Sequence, residues 1–278
     1  MLGRIVVHID YDSSCQRRVR AAARLAVEHG AELVGVYASF LQPQQAYEGI
    51  FVTAEIRSML ERRLVEECGR AQRLFFETAQ EEGASWQWRT AEDLPERVLA
   101  TQARYGDVLV MQQPSSDEPG PVRMPGIVAS VILSAGRPVL VLPYAGEPAT
   151  IGRRALVCWD GGREAARALA DALPLLQRAE EVVLLTIDPR DDRATDPESE
   201  TDDLATYCRS HGLPQPQRAI REDTGVSVGD AILNAASDYG SDLIVMGAYG
   251  HSQLRESILG GASRTLIESM TVPVLFSH

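Results

Sequence analysis

Apolar residues follow two alternating patterns along the chain. Short runs such as 182–187 and 243–246 are apolar almost throughout, which is typical of strands buried on both faces of a parallel sheet. Longer stretches such as 13–29 carry apolar residues at helical spacing, and Gly30 is a typical helix stop. Strands that alternate with helices of about 10 to 15 residues predict an α/β fold with helices on both faces of a parallel sheet.

Ten strands and eight helices are predicted from this alternation. The predicted strands are 4–9, 32–38, 85–90, 107–112, 138–142, 154–159, 181–187, 216–221, 242–247 and 273–277. The predicted helices are 13–29, 53–82, 95–105, 126–135, 162–176, 201–211, 228–239 and 261–270. The segment 188–203 holds eight acidic residues and no large apolar side chain. It predicts a solvated loop, with a lid over a ligand as the alternative.

The pattern occurs twice, which predicts two copies of one domain. The matching segments are 105–111 with 239–246, and 138–141 with 273–276. Met111 and Met246 lie 135 residues apart, as do Pro138 and Pro273. Asp10 and Asp160, which end the opening strand of each copy, lie 150 apart. The first copy therefore carries about 15 additional residues. We predict a first domain at 1–147 and a second at 148–278.

Composition and charge limit the classes of partner that the protein is expected to bind. Hydrophobic residues make up 45% and charged residues 24% of the chain, as in globular proteins. The formal net charge of -12 opposes binding to nucleic acid and to anionic membrane surfaces. There is no apolar run long enough to span a membrane and no pattern of a signal peptide. Four scattered cysteines without metal-ligand spacing predict a cytoplasmic protein without disulfides or a bound metal.

Glycines cluster where a ligand site is expected, since open parallel sheets bind ligands beyond the carboxyl ends of their strands. The strand at 242–247 is followed by Gly250, Gly260, Gly261 and Ser263. Glycine allows the backbone to approach a bulky anion, and a helix N-terminus offers unpaired N–H groups. The segment predicts a phosphate-binding cradle; the alternative is a flexible loop before a glycine-assisted helix start.

Asp160 ends the first strand of the second copy, so we expect its carboxylate at the same rim. There it can accept a hydrogen bond from a ribose hydroxyl or from a donor on the adenine side. The alternative is a helix N-cap for the following helix, and one residue can serve both roles.

At these residues the chain resembles the universal stress protein family, over essentially its whole length. The resemblance rests on Asp10 and Asp160, on the helix entry at 225–232, and on the strand 242–247 with its glycine loop.

The nucleotide signature of that family is glycine, two residues, glycine, nine residues, glycine, then serine or threonine. Gly247, Gly250 and Gly260 fit this spacing. Gly261 stands where the family has a hydroxyl residue, and Ser263 carries the nearest hydroxyl.

The resemblance implies two flavodoxin-like, Rossmann-type α/β sandwiches in tandem. It implies a stress-response protein that binds ATP, with or without Mg²⁺, or AMP in its second half and acts as a nucleotide-dependent regulator. Asp160 would lie near adenine and ribose, the backbone of Ile187 would face adenine, and the glycine loop would surround the phosphates. No lysine or paired carboxylate is placed for fast phosphoryl transfer. We therefore expect that the protein is not an enzyme and that any ATP hydrolysis is slow.

The resemblance also implies that the last strands of the two domains pair edge to edge as an internal pseudo-dimer. The candidate strands are 139–142 and 274–276, whose pairing would cover exposed sheet edges. A homodimer of whole chains is compatible with this arrangement.

The first copy departs from the signature. Gln112, Ser115 and Pro125 occupy its three glycine positions, and a proline removes an N–H donor. Only Gly126, opposite Gly261, and Asp10 remain. We therefore expect no nucleotide in the first domain, which would be a structural partner or hold another ligand.

Aromatic residues in the enlarged middle of the first copy leave two interpretations open. Phe51, Trp86 and Trp88 could line an apolar pocket or belong to the core. The alternative function is accordingly a stress-linked scaffold or binding protein that has lost nucleotide and recognises a small apolar ligand or a protein partner.

A GxSxG pattern at 225–229 is the signature of a hydrolase nucleophile elbow, with Asp242 and His251 or His278 following in the order such enzymes use. An elbow needs a buried strand directly before it, but 221–224 is polar. Ser227 is instead predicted to be the N-cap of the next helix. The sequence has no GxxxxGK[ST] motif, which argues against a P-loop NTPase. It has no GxGxxG motif after either first strand, which argues against a dinucleotide-dependent oxidoreductase.

Overall fold

The computed structural model describes residues 1–39, 54–114, 126–187, 197–222, 225–248 and 261–278. Ten strands and eight helices lie in these ranges. The strands are β1 (Arg4–Ile9), β2 (Glu32–Ser39), β3 (Trp86–Glu92), β4 (Val108–Gln112), β5 (Val139–Leu142), β6 (Arg154–Cys158), β7 (Glu181–Ile187), β8 (Gln217–Arg221), β9 (Leu243–Gly247) and β10 (Val274–Ser277). The helices are α1 (Cys15–His29), α2 (Ala54–Glu81), α3 (Pro95–Ala103), α4 (Ile127–Ser134), α5 (Arg163–Leu176), α6 (Pro197–Ser210), α7 (Val228–Asp238) and α8 (Gly261–Ser269).

The chain divides into two compact units, residues 2–110 and residues 111–278 with Met1. In the first unit the strand order is β3-β2-β1-β4, and all neighbours are parallel. Ile5 and Leu109 in its central strands are fully buried. Gly30 ends α1 in the left-handed conformation at φ 66°, as predicted.

In the second unit the strand order is β5-β10-β9-β6-β7-β8. All neighbours are parallel except β5 and β10, which are antiparallel, with Val139 opposite Phe276 and Val141 opposite Val274. The predicted pairing of 139–142 with 274–276 is therefore confirmed. It covers the edge of β10 that would otherwise be open.

The predicted α/β class with a mostly parallel sheet flanked by helices is confirmed, and most elements begin and end within two residues of their predicted bounds. One expectation is wrong. The predicted loop at 188–203 contains the first turns of α6, which begins at Pro197. Proline is compatible with a first helical turn, where its missing N–H has no intrahelical acceptor. Residues 188–196 lie outside the described ranges.

The two copies share a structural detail at the amino ends of their strands. The carboxylate of Asp107 accepts the backbone N–H of Gly3 at 2.7 Å and of Arg4 at 2.9 Å. The carboxylate of Asp242, 135 residues later, accepts the N–H of Arg154 at 2.9 Å and of Gly152 at 3.0 Å. The domain bounds at 147 and 148 stay a prediction, since the compact units divide between Val110 and Met111.

Candidate functional site

The carboxyl ends of three neighbouring strands form the candidate site in the second unit. β9 lies between β6 and β10, and all three are parallel. Their ends therefore meet at one edge of the sheet, where α5 and α8 also begin. Helix N-termini at this edge direct backbone N–H groups and a partial positive charge towards a ligand.

Asp160 lies exposed at this edge, two residues after β6. One carboxylate oxygen accepts the N–H of Gly162 at 2.8 Å. Gly161 between them has φ 72°, a left-handed conformation that favours glycine. The N-cap of α5 is Gly162, without a side-chain cap. Asp160 therefore stabilises the turn before α5 rather than capping the helix, and the turn holds its carboxylate at the rim.

Gly247 ends β9 in contact with the first turn of α5. A Cβ at this position would lie 2.5 Å from the carbonyl carbon of Glu164 and 2.8 Å from the nitrogen of Ala165. These are backbone atoms, so any side chain would displace the helix. The glycine spacing predicts phosphate binding at this residue but not its packing role, because strand and helix lie far apart in the sequence.

Gly261 and Ser263 lie in the first turn of α8. A Cβ at Gly261 would meet none of the described atoms within 4 Å, whereas Ser263 is buried. Thr265 donates its hydroxyl to the carbonyl oxygen of Gly261. Within the described ranges, nothing covers the start of α8 at Gly261. Gly250 and Gly260 lie outside the described residues, as does His251.

Ile187 ends β7 and is half-buried. Its strand lies beside β6, and its position pairs with Arg221 of β8. The backbone predicted to face adenine is thus on the strand next to the one that Asp160 follows.

His278 also lies at this edge, although it is not among the nucleotide-binding residues expected from the sequence. Its Nδ1 is 3.1 Å from the carbonyl oxygen of Ala248, and the N–H of Ala248 donates to Ser277 at 2.8 Å. No sequence pattern predicts this position, because it follows from the pairing of β10 with β9.

The rim carries a further carboxylate, Glu164, in the first turn of α5. Burial opposes its ionisation, but hydrogen bonds from Arg163 and the backbone, together with the charges of Arg163 and His278, bring the pKa of Glu164 below its usual value. A polyphosphate at this edge would therefore meet two acidic side chains, Asp160 and Glu164, and needs cations as well as backbone donors.

Comparison with known families gives a match within the second unit. Residues 152–278 match the family model described as the universal stress protein family. Residues 152–278 form a universal stress protein domain.

Two solved structures share the fold over nearly the whole chain. A universal stress protein from Archaeoglobus fulgidus DSM 4304 is 14% identical, with a TM-score of 0.75 and coverage of 99% of this chain and 97% of that one. A functionally unknown protein from Pseudomonas aeruginosa PAO1 is 16% identical, with a TM-score of 0.58 and coverage of 99% and 92%. None of the curated proteins compared with the chain matches it.

In the first unit, the position that corresponds to Asp160 has another environment. Arg18, whose side chain is 0% exposed, donates from Nη2 to Asp10 at 2.7 Å and from Nε to the carbonyl oxygen of His8 at 2.7 Å. Burial opposes ionisation of Asp10, but the charge and hydrogen bond of Arg18 hold the pKa of Asp10 below its usual range. In the universal stress protein domain, the position that corresponds to Arg18 is a buried alanine, Ala168. Asp10 is therefore committed to an ion pair inside its own unit.

The aromatic residues of the first unit pack on one another. Trp86 stacks on Phe76 with ring centroids 4.3 Å apart, and Trp88 stacks on Tyr37 at 6.2 Å. Trp86 is nevertheless 43% exposed. Phe51 lies outside the described residues.

The geometry contradicts the hydrolase interpretation and confirms Ser227 as an N-cap. The hydroxyl oxygen of Ser227 accepts the N–H of Asp230 at 3.2 Å and donates to its carboxylate at 2.7 Å. Asp242 lies before β9, at the opposite end of that strand from Gly247, and bonds to the segment that precedes β6. Ser227 and Asp242 therefore belong to different networks.

Three further observations concern metals, thiols and membranes. Among the described residues, no group of three or more His, Cys, Asp or Glu side chains could hold a metal ion. All four cysteines are outside disulfides. No helix in the described ranges is both long enough and apolar enough to cross a bilayer.

Proposed function

We propose that the universal stress protein domain binds an adenine nucleotide, ATP or AMP, and that occupancy of this site regulates the protein in a stress response. The observation that carries the proposal is the arrangement at one sheet edge: Asp160, the end of β9 at Gly247, and the start of α8 at Gly261. The glycine spacing that connects the last two elements adds support.

In this proposal each element has a separate task. Asp160 accepts from the ribose hydroxyls, and the backbone of Ile187 pairs with adenine. The backbone N–H groups of the loop through Gly250 and Gly260, and of Gly261 and Ser263, bind the phosphates. Mg²⁺ would arrive with the triphosphate and be held mainly by its oxygens, as such ions commonly are.

Hydrolysis at this site would be slow. The chain contains 27 arginines and no lysine, so no lysine can assist phosphoryl transfer. Fast phosphoryl transfer also needs a group that orients or deprotonates the attacking water. The proposed role of the site is therefore to bind a nucleotide and regulate the protein, rather than to turn the nucleotide over.

The test is calorimetric titration of nucleotide-stripped protein with Mg-ATP, using two matched variants. Gly250→Val places a side chain in the proposed cradle, whereas Ser115→Val places the same residue at the corresponding position of the first copy. We expect the first variant to abolish measurable binding and the second to leave it unchanged. Binding that survives Gly250→Val would contradict the proposed site.

A scaffold function is the second candidate, and the exposure of Trp86 favours it. An indole that is stacked on Phe76 yet nearly half exposed can contact an apolar ligand or a protein partner. Absence of heat with millimolar ATP, together with quenching of tryptophan fluorescence by an apolar ligand, would support this function over the first.

A further inference from the structure

The antiparallel contact between β5 and β10 brings a residue of the first copy to the nucleotide edge of the second. Because the strands are antiparallel, the amino end of β5 lies beside the carboxyl end of β10. The register places Val139 opposite Phe276. Continued by two residues, it places Arg137 opposite His278.

Arg137 therefore lies near the end of β9. Ser277 pairs with Gly247 in the parallel β10–β9 ladder. From the column of Gly247 to that of Arg137 there are two inter-strand spacings, or about 10 Å. A bound polyphosphate and an extended arginine side chain together can cover this distance.

The backbone holds Arg137 in place while its side chain remains available. Gly136, with φ 63°, follows the end of α4, and Pro138 fixes the next backbone angle. Arg137 is exposed, and its guanidinium has no hydrogen-bond or ion-pair partner in the part of the chain that the structure describes.

The two copies differ at this position in a way that matches their glycine loops. The residue that corresponds to Arg137 in the second copy is Val272. By the same register Val272 lies opposite Pro143, just beyond the carboxyl end of β5. The copy without the glycine spacing thus places a cation, Arg137, beside the copy that has this spacing. The second copy places only the apolar Val272 beside the first.

Strand order decides which part of the nucleotide would meet Arg137. The edge runs β5-β10-β9-β6-β7, with the groups proposed for ribose and adenine on β6 and β7. The phosphate chain would extend across β9 towards β10. We propose that Arg137 contacts the β- and γ-phosphates of a nucleotide in the universal stress protein domain, and so makes the site prefer ATP to AMP.

Physical chemistry supports this assignment, which rests on the proposed nucleotide site. Asp160 and Glu164 make the edge acidic, and Arg163 is hydrogen-bonded to Glu164. Arginine binds phosphate oxygens through two parallel N–H donors. One such contact offsets part of the repulsion that a triphosphate meets at this edge.

The test compares ATP and AMP binding to the full chain and to two arginine variants by calorimetry. Arg137→Gln removes the proposed contact. Arg178→Gln is the matched control, because Arg178 is equally an exposed arginine of the second unit but follows the far end of α5. We expect Arg137→Gln to weaken ATP binding about tenfold, the order for one charge-assisted contact, and AMP binding less than about twofold. Arg178→Gln should change neither affinity.

The outcomes separate this inference from the function on which it rests. If the unmodified chain binds neither nucleotide, the proposed function fails and the inference fails with it. If the chain binds ATP and Arg137→Gln binds it equally well, the inference alone is wrong. An equal loss of ATP and AMP affinity would also overturn it, since Arg137 would then act on the whole site.

Discussion

At the scale of single residues, two aspartates with the same place in the repeat have acquired different partners. Asp10 is held by the fully buried Arg18, whereas Asp160 lies exposed and bonds to the N–H of Gly162. The change follows from one helix position, since the residue that corresponds to Arg18 is Ala168. The two aspartates therefore have different environments, one beside a buried cation of its own helix and one exposed at the sheet edge.

Replacing Arg18 by alanine, the residue of the second copy, tests this ion pair. The substitution would leave the Asp10 carboxylate, 27% exposed, without its buried cation. We expect the free energy of unfolding to fall by about 3 kcal/mol. Arg24→Ala is the control, because the ion pair of Arg24 with Glu82 is at the surface and is worth less than about 1 kcal/mol. Equal losses in urea denaturation would contradict the assignment.

His8 makes stability depend on pH. Burial lowers the pKa of His8 to about 4, whereas an unfolded chain has a histidine pKa of about 6.5. Between these values the unfolded chain binds more protons, so stability falls as the pH falls from 6.5 to 4. The full loss from His8 is about 3 kcal/mol. Urea denaturation at a series of pH values should show a shallower pH dependence for His8→Asn, and an unchanged dependence would contradict the prediction.

At the scale of elements, the closest contact at the candidate site joins β9 to α5 through Gly247. Because a Cβ there would meet the backbone of Glu164 and Ala165, Gly247→Ala should destabilise the domain by about 1–3 kcal/mol. Gly261→Ala is the control, since the position is helical and a Cβ there would meet no atom of the described ranges within 4 Å. This variant should be neutral or stabilising by up to about 1 kcal/mol. Thermal unfolding measures both, and equal stabilities would refute the packing role.

Element positions could be predicted from the sequence because apolar period and helix stops are local. The acidic composition of 188–203 does not predict that α6 begins at Pro197, because such a composition indicates solvent exposure and does not distinguish a loop from an exposed helix. The buried ion pair of Arg18 is not among the sequence-based predictions. An arginine among the apolar residues of α1 is nevertheless a sequence signal for such a pair. Gly247 and His278 acquire their contacts from strand pairing, which a single sequence does not encode locally.

At the scale of the molecule, the antiparallel junction between β5 and β10 makes the two copies unequal. Arg137 lies at the edge of the universal stress protein domain, and Val272 takes the corresponding position on the other side. The sequence predicts the pairing of these strands through the family resemblance, but the register that selects Arg137 comes from the structure. One copy is thereby proposed to bind the nucleotide and the other to complete its site.

The number of ATP molecules bound per chain tests this account most directly. It is measured by calorimetric titration of the nucleotide-stripped full chain with Mg-ATP. We predict saturation at one ATP per chain, because the first copy has Gln112, Ser115 and Pro125 at its glycine positions and Asp10 paired with Arg18. Saturation at two ATP per chain, or no binding at millimolar ATP, would contradict it.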